Sequence, residues 1–206
     1  MKRIKTFPYL LLQVISLFFL IMLLPTACKE TENNKAPSIA GYYKIESLYA
    51  DRQVDLNNDG NVSTDVMEEV SRNRFNRQYN FDSPSAYMEI RPTKHNHTTH
   101  QYLYVPFPDP RLTFEYTDSP NGAVTYLRNE LNGIGYKYSY DEKNKLIYID
   151  RTDVEEKNEE FWGQLVDMKV IEKDRLELLV SKNYYDFVTA SWIRLQLTAI
   201  YVRVED

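Results

Sequence analysis

A short run of oxygen-bearing side chains has the spacing of a calcium-binding loop. Counted from Asp55, oxygen side chains occupy positions one, three, five and nine and glycine occupies position six: Asp55, Asn57, Asp59, Ser63 and Gly60. At this spacing a tightly turning backbone brings the first three side chains onto one hard cation. A main-chain carbonyl of Asn61 and a water held by Ser63 complete the set. The spacing therefore predicts a weak calcium site, with a dissociation constant of roughly 0.1 to 1 mM.

The same segment has an alternative explanation as a turn followed by a helix cap. An EF-hand loop carries a bidentate glutamate at position twelve, where this chain has Val66. This glutamate can be replaced by Asp65, Glu68 or Glu69 only if the following turn is wound differently. In the alternative, Asn58-Asp59-Gly60 is a turn whose side chains bond to the nearby backbone, and Asp65 caps a helix. The sequence favours the turn and keeps calcium as the second interpretation.

All three histidines of the chain lie in one connection, between strand-like segments at Met88 and Leu103. His95 and His97 face the same way on an extended chain, and a bend that brings His100 round completes a three-nitrogen site for zinc or copper. No carboxylate or cysteine lies within the segment. The favoured interpretation is a polar hairpin loop in which the rings are solvated.

Three of the 17 tyrosines alternate along one segment: Tyr136, Tyr138 and Tyr140. On a strand they share one face, where flat rings with polar tips can line a ligand cavity or stack on sugar rings. They serve equally as filling for a barrel whose interior is packed solid. The sequence favours filling and keeps ligand binding as the alternative.

The chain carries none of the common catalytic motifs. Gly-x-Ser-x-Gly, His-Glu-x-x-His and a phosphate-binding glycine-rich loop are missing from the sequence. Four neighbouring acidic residues are candidates for the carboxylate pair of a hydrolase: Asp150, Asp153, Glu155 and Glu156. Such runs are usually solvated loops. The sequence therefore predicts a protein that is not an enzyme, with a carboxylate-dependent hydrolase as the remote alternative.

Residues 1–27 have the form of an export signal. Basic residues between Met1 and Lys5 precede an apolar run from Phe7 to Leu24, and small residues precede Cys28, the only cysteine of the chain. This ending resembles the lipobox of bacterial lipoproteins, and the resemblance implies that Cys28 is lipidated and becomes the new N-terminus. An uncleaved membrane-spanning anchor and an ordinary cleaved signal remain as alternatives.

The exported chain is expected to be a linker followed by one acidic domain. Residues 28–40 are polar and predict a flexible linker, and 41–206 has the length of a single domain. Removal of 1–27 takes away basic residues and no acidic ones, so the body is more acidic than the whole chain, whose formal charge is -5. A net acidic body excludes nucleic acid as a partner.

Alternating apolar residues predict an all-β domain with one short helix. The clearest strand, expected to be the longest, places five apolar residues on one face: Ile193, Leu195, Leu197, Ala199 and Tyr201. Tyr43, Ile45 and Tyr49 are expected to share one face of the first strand. A helix from Asp65 to about Asn76 follows it, and Asp118-Ser119-Pro120-Asn121-Gly122 predicts a turn. Roughly ten short strands indicate an up-and-down antiparallel barrel or a strongly curved sheet.

Three segments of the chain have a pattern known from one protein family: Gly41-Tyr42-Tyr43-Lys44-Ile45, the run from Asp55 to Glu69, and Ala199-Ile200-Tyr201-Val202-Arg203. They resemble the lipocalin-like lipoproteins of Bacteroidetes. Lipocalins tend to open with Gly-x-Trp, and here Tyr43 takes the place of the tryptophan. The resemblance implies a small barrel and names no activity.

We therefore expect a lipid-anchored binding or accessory module of the cell envelope. Its place is the outer membrane, on the periplasmic or the cell-surface face. Its partners are the membrane, through the anchor, and either a small apolar ligand or an envelope protein. The alternative is a structural or interaction protein with a filled core, and a cavity of roughly 300 Å³ or more that is lined by aromatic residues would separate the two.

Overall fold

The computed structural model describes residues 36–71, 79–95, 98–116 and 123–205, without the side chains of 94–99, 111–129, 131, 153–155 and 160–161. The export signal, Cys28 and the turn predicted at 118–122 lie outside the described residues. Within the described part of the chain, no helix is long and apolar enough to cross a membrane.

The described residues form nine strands and few helices. The strands are β1 (Gly41–Val54), β2 (Ser63–Asp65), β3 (Met88–His95), β4 (Thr98–Tyr116), β5 (Ala123–Asp141), β6 (Leu146–Asp150), β7 (Gln164–Glu172), β8 (Arg175–Asp186) and β9 (Ser191–Arg203). Helix α1 (Val66–Ser71) follows β2, a 3-10 turn (Pro84–Ala86) precedes β3, and helix α2 (Asp153–Trp162) joins β6 to β7.

Eight of these strands close into an antiparallel barrel. β1 pairs with β3, each later strand pairs with the next, and β9 returns to β1, from Tyr43 opposite Arg203 to Ala50 opposite Leu197. β2 lies beside the far half of β1. Because β9 pairs with β1, closure covers the edges of the first and last strands of the barrel. The predicted all-β fold and up-and-down barrel are confirmed.

Side chains fill the centre of the barrel. Four inward tyrosines are at most 1% exposed: Tyr43, Tyr136, Tyr184 and Tyr201. Rings buried this completely leave no room for a water-sized void beside Tyr184 and Tyr201. Tyr43 lines a pocket of about 200 Å³ together with Ile39 and Tyr140. The Tyr201 hydroxyl donates to the Pro106 carbonyl at 3.1 Å, and the Tyr184 hydroxyl donates to the Pro108 carbonyl at 2.8 Å. The polar tips are thereby satisfied inside a solid core.

Strand β4 tolerates three alternating prolines because they lie where its pairing with β3 has ended. That pairing stops at Tyr104. Pro106, Pro108 and Pro110 occupy alternate positions of the strand, so the sites of their missing N–H groups all face the same unpaired edge.

The prediction that β9 is the longest strand is wrong. β4 and β5 each have 19 residues and β9 has 13, because segments expected to be separate short strands are continuous.

The last strand agrees with prediction in its buried face, and the first helix agrees in its N-terminal cap. Leu195, Leu197, Ala199 and Tyr201 have no exposed surface, whereas Gln196 and Thr198 between them are exposed. The Glu68 N–H donates to Oδ1 of Asp65 at 3.0 Å, which confirms the predicted helix cap. The predicted continuation of this helix beyond Ser71 lies outside the described residues.

The prediction for the first strand is wrong at one position. Tyr43 and Ile45 are buried as expected, but Tyr49 is 49% exposed. A register shift between Ile45 and Ser47 inserts one extra residue into β1 opposite β9. An extra residue exchanges the inward and outward positions that follow it, and Leu48 therefore takes the inward place.

The acidic segment that was expected to be a solvated loop is helix α2, so the described residues contain two short α-helices rather than the one expected. Glu159 of this helix is buried at 6% exposure. Its Oε1 accepts a hydrogen bond from the Tyr136 hydroxyl at 3.0 Å and pairs with Nε of Arg151 at 3.0 Å. Because the buried carboxylate is both bonded and charge-paired, a mostly polar helix can pack on the barrel. We call the end of the barrel where β1 and β8 finish and β7 begins the helix end.

The opposite end is covered by residues 36–40, which composition assigns to the flexible linker. Ile39 is 5% exposed, and its carbonyl accepts a hydrogen bond from the Tyr43 hydroxyl at 2.7 Å. The Arg203 guanidinium donates to the carbonyls of Ser38 at 2.6 Å and Ala40 at 2.7 Å. These contacts hold the chain against the barrel just before β1 begins.

Candidate functional site

The predicted cation loop lies at the helix end, between β1 and β2. Gly60 has φ of +84° and Asn58 has φ of +59°, both in the left-handed region. Glycine adopts this conformation without a steric cost, and asparagine tolerates it. These two residues turn the backbone sharply, as a loop of this spacing requires.

The Asp55 carboxylate organises the loop. Its Oδ1 accepts the N–H groups of Asn57 at 3.2 Å and Asn58 at 2.7 Å, and its Oδ2 accepts the N–H of Gly60 at 3.0 Å. The side chains at positions three and five also bond two residues onward, since Asn57 Oδ1 accepts the Asp59 N–H at 2.9 Å. Asp55 and Asn57 are buried, at 2% and 6% exposure. The loop is held in one conformation by its own side chains.

Asp186, at the end of β8, fastens the loop to the barrel. Its Oδ1 accepts the N–H of Asp55 at 3.1 Å, and the Phe187 N–H donates to the Asp55 carbonyl at 2.9 Å. Burial opposes ionisation of Asp186, but hydrogen bonds from Thr189, Asp55 and Val188 outweigh it and lower the pKa of this carboxyl. The loop is therefore attached to an anionic anchor.

Helix α1 brings a further carboxylate over the loop. Glu69 is 4% exposed, and its Oε2 accepts the N–H of Leu56 at 2.9 Å. Burial raises the pKa of Glu69 to about 7; the Leu56 hydrogen bond opposes this rise, and the Asp55 and Asp59 carboxylates add to it. The local field around Glu69 thus disfavours another negative charge and favours a cation.

The structure distinguishes between the three carboxylates considered for the missing twelfth position. Asp65 is used as the cap of α1, and Val66, at position twelve, is buried in the core. Glu69 is the acidic residue that bonds back into the loop. Ser63 Oγ accepts the Asp65 N–H at 3.0 Å, and Asn61 is exposed. The sequence identified Glu69 as one of three candidates, and only the packing of α1 singles it out.

Both explanations of the loop remain open at this point. Among the described residues, no three His, Cys, Asp or Glu side chains form a group that could hold a metal ion. The hydrogen bonds expected of the turn are present around Asp55, Asn57 and Asp65. Oδ1 of Asp55 already accepts two hydrogen bonds, but Oδ2 of Asp55 and Oδ1 of Asn57 each accept one and keep a second lone pair that can bind a cation. The calcium site stays a prediction.

Comparison of the chain with family models, curated proteins and solved structures gives no match.

The described part of the structure does not bring the other predicted site residues together. His97 and the side chain of His95 lie outside the described part, and His100 is opposite Thr93 on the β3–β4 hairpin. The zinc or copper site therefore stays a prediction. Asp150 ends β6, whereas Asp153, Glu155 and Glu156 belong to α2, and the side chains of Asp153 and Glu155 are not described.

The three alternating tyrosines lie on the inward face of β5. Tyr136 and Tyr138 are buried and Tyr140 is partly buried. Burial raises the pKa of both Tyr136 and Tyr138. The Leu165 N–H donates to the Tyr136 hydroxyl at 3.4 Å, and the Tyr138 hydroxyl donates to Oε1 of Gln101 at 3.4 Å. This packing agrees with the interpretation that the three tyrosines fill the interior of the barrel.

Two clefts lie outside the filled centre. One, of about 970 Å³, is beside α1 and is lined in part by Met67, Tyr79 and Phe81. The other, of about 380 Å³, lies at the helix end between α2 and the strands that begin there. Sequence reasoning found neither, because each combines residues from distant parts of the chain.

Proposed function

We propose that this chain is an exported, lipid-anchored barrel of the outer membrane that acts as a binding or accessory module of the cell envelope. The segment up to Cys28 supports the anchor through its basic start, its apolar run and its small residues before the cysteine. The likeness to lipocalin-like lipoproteins supports the same assignment. Two or more acyl chains hold such a protein firmly, because each buried methylene contributes about 0.8 kcal/mol.

The filled centre is the observation that carries our choice of binding surface. Tyr43, Tyr184 and Tyr201 take the space in which a lipocalin-like barrel would hold an apolar ligand. The module therefore makes its contacts through loops and outer clefts. The cleft of about 970 Å³ beside α1, lined in part by Met67, Tyr79 and Phe81, exceeds the size that separates a binding module from a structural protein, and it supports the binding module.

Cys28→Ala is expected to release the protein from the membrane. Wild-type protein should incorporate a fatty-acid probe and sediment with membranes, while the variant does neither, because the sole cysteine carries the acyl chains. Thr26→Ser, which keeps a small residue before the cysteine, serves as the control and should label normally. Equal labelling of Cys28→Ala and wild type would show that the lipoprotein assignment is wrong.

As a second candidate function, beside the turn that the sequence favours, we propose that the module binds calcium at the Asp55 loop. Asp55, Asn57 and Asp59 are the side-chain ligands, with the Asn61 carbonyl and a water on Ser63. The prewound backbone and the carboxylate of Glu69 support this assignment, because a cation relieves the repulsion among the acidic groups.

Calcium is expected to stabilise the protein at millimolar concentration. With a dissociation constant of about 0.1 to 1 mM, 10 mM calcium adds about 1.4 to 2.7 kcal/mol to the free energy of unfolding. The melting temperature then rises by roughly 3 to 10 °C. Asp59→Ala should abolish the rise, and Asp167→Ala, which removes an exposed carboxylate on β7, should leave it intact. If calorimetry detects no heat of calcium binding and calcium does not shift the melting temperature of the wild type, the loop is a turn and a helix cap without a calcium site.

Glu69→Gln gives a second measure of the same site. In calcium-free protein, the Glu69 carboxyl has a pKa of about 7 when folded against an ordinary 4.5. The folded state holds the proton more tightly, so stability falls as pH rises from 4.5 through 7, by about 3 kcal/mol in all. Glu69→Gln should remove this loss, melt higher than wild type at pH 8 without calcium, and respond less to calcium. An unchanged pH dependence in the variant would contradict the role given to Glu69.

A further inference from the structure

The cleft of about 380 Å³ at the helix end brings two arginines together in an acidic protein. It is lined by Arg151, Glu156, Glu159, Gln164 and Arg194. Arg151 follows β6, Gln164 begins β7 and Arg194 lies on the outward face of β9. The volume suits a ligand of the size of one or two sugar rings.

Arg151 is held in place by buried groups. Its Nε donates to Oε1 of Glu159 at 3.0 Å, and a terminal nitrogen donates to the Leu165 carbonyl. Glu159 is itself fixed by the Tyr136 hydroxyl. Arg151 remains 30% exposed, so part of its guanidinium reaches the cleft. A side chain ordered before binding loses little entropy when a ligand arrives.

Arg194 is positioned by a buried serine. Its Nε donates to Oγ of Ser181 at 2.7 Å, and the Gln196 amide donates to the same Oγ at 2.9 Å. Ser181 is 3% exposed. Among the described residues, no acceptor pairs with the terminal nitrogens of Arg194. A guanidinium tied through Nε offers its two terminal nitrogens as a fork for a carboxylate or phosphate.

We propose that this cleft binds a small hydroxylated oxyanion, the chemistry of an acidic sugar. The oxyanion sits on the two terminal nitrogens of Arg194 and on the one terminal nitrogen of Arg151 that does not donate to the Leu165 carbonyl. Glu156, which is exposed and makes no ion pair with either arginine among the described residues, accepts hydrogen bonds from sugar hydroxyls, and the Gln164 amide offers a further donor and acceptor. This ligand class rests on the proposed function as a binding module.

Calorimetry with the full chain in detergent tests the cleft, using glucuronate, glucose 6-phosphate, glucose and inorganic phosphate as probes. Glucuronate or glucose 6-phosphate should bind, and the tighter of the two identifies the anion as carboxylate or phosphate. Glucose should bind at least tenfold more weakly, because it lacks the charge that the forks recognise. Arg194→Gln should weaken the acidic sugar at least tenfold, and Arg194→Lys should lie between it and wild type because lysine keeps the charge and loses the fork.

Lys173→Gln is the matched control, since it removes one positive charge from an exposed side chain at the opposite end of the barrel. It should leave binding unchanged.

Glu156→Ala, at an exposed position, should weaken the binding of the acidic sugar and leave the binding of inorganic phosphate unchanged. The site would be overturned if neither acidic sugar binds or if glucose binds as tightly as they do. It would also be overturned if Lys173→Gln weakens binding as much as Arg194→Gln does. Inorganic phosphate that binds as tightly as glucose 6-phosphate would overturn the sugar assignment. Binding is measured in solution, so its failure leaves the Cys28 result unaffected.

Discussion

Leu195→Asp is expected to leave the domain unfolded. Leu195 lies on the inward face of β9 and has no exposed surface. An ionised carboxylate at this place would have no partner in the apolar core, and the cost of burying it exceeds the whole stability of about 5 to 15 kcal/mol of a typical domain. Circular dichroism should show the loss of the strand signal, and no cooperative melting transition should remain.

Thr198→Asp on the same strand is the control for Leu195→Asp. Thr198 is exposed on the outward face of β9, so its carboxylate stays in water and the melting temperature should change by at most a few degrees. If the protein tolerates both substitutions equally, the inward face of β9 has been assigned incorrectly.

Asp109→Ala is expected to destabilise the barrel by about 3 to 5 kcal/mol. Nζ of Lys182 pairs with Oδ1 of Asp109 at 3.0 Å, and the side chains are 3% and 7% exposed. Nζ also donates to the Trp162 carbonyl at the end of α2, at 2.7 Å. The substitution leaves a buried ammonium without its carboxylate. The melting temperature should fall by roughly 6 to 20 °C.

A double variant separates the value of the ion pair from the cost of a lone buried charge. Asp109→Leu with Lys182→Met replaces both charges by apolar groups, and a well-packed apolar pair is often as stable as a buried ion pair. Most of the stability lost in Asp109→Ala should therefore return. If the double variant is instead less stable than Asp109→Ala, the ion pair itself stabilises the junction of α2 with β8.

Several features of the fold could be predicted because they depend on neighbours in the chain. On a strand, successive side chains face opposite ways, so the run from Ile193 to Tyr201 indicates its own buried face. The cap at Asp65 and the turn around Gly60 likewise depend on residues a few places away. These predictions required no knowledge of how the chain closes.

Other features escaped prediction because their signals are weak or misleading. The extra residue between Ile45 and Ser47 leaves no mark in the hydrophobic pattern, yet it turns Tyr49 outward. Helix α2 has a composition typical of a loop, and its packing depends on Glu159 meeting Arg151 and a tyrosine from β5.

The sequence by itself determined the inside and outside residues of the last strand, where the chain turns at Gly60, and which oxygens stand close together along the loop. Only the tertiary structure decided what meets that loop. Asp186 reaches Asp55 across 131 residues, and Glu69 is selected over its neighbours because α1 packs with that face inward. The physical reason is that the alternation of side chains is a local property of the backbone, whereas barrel closure brings strands together whose separation along the chain carries no local signal.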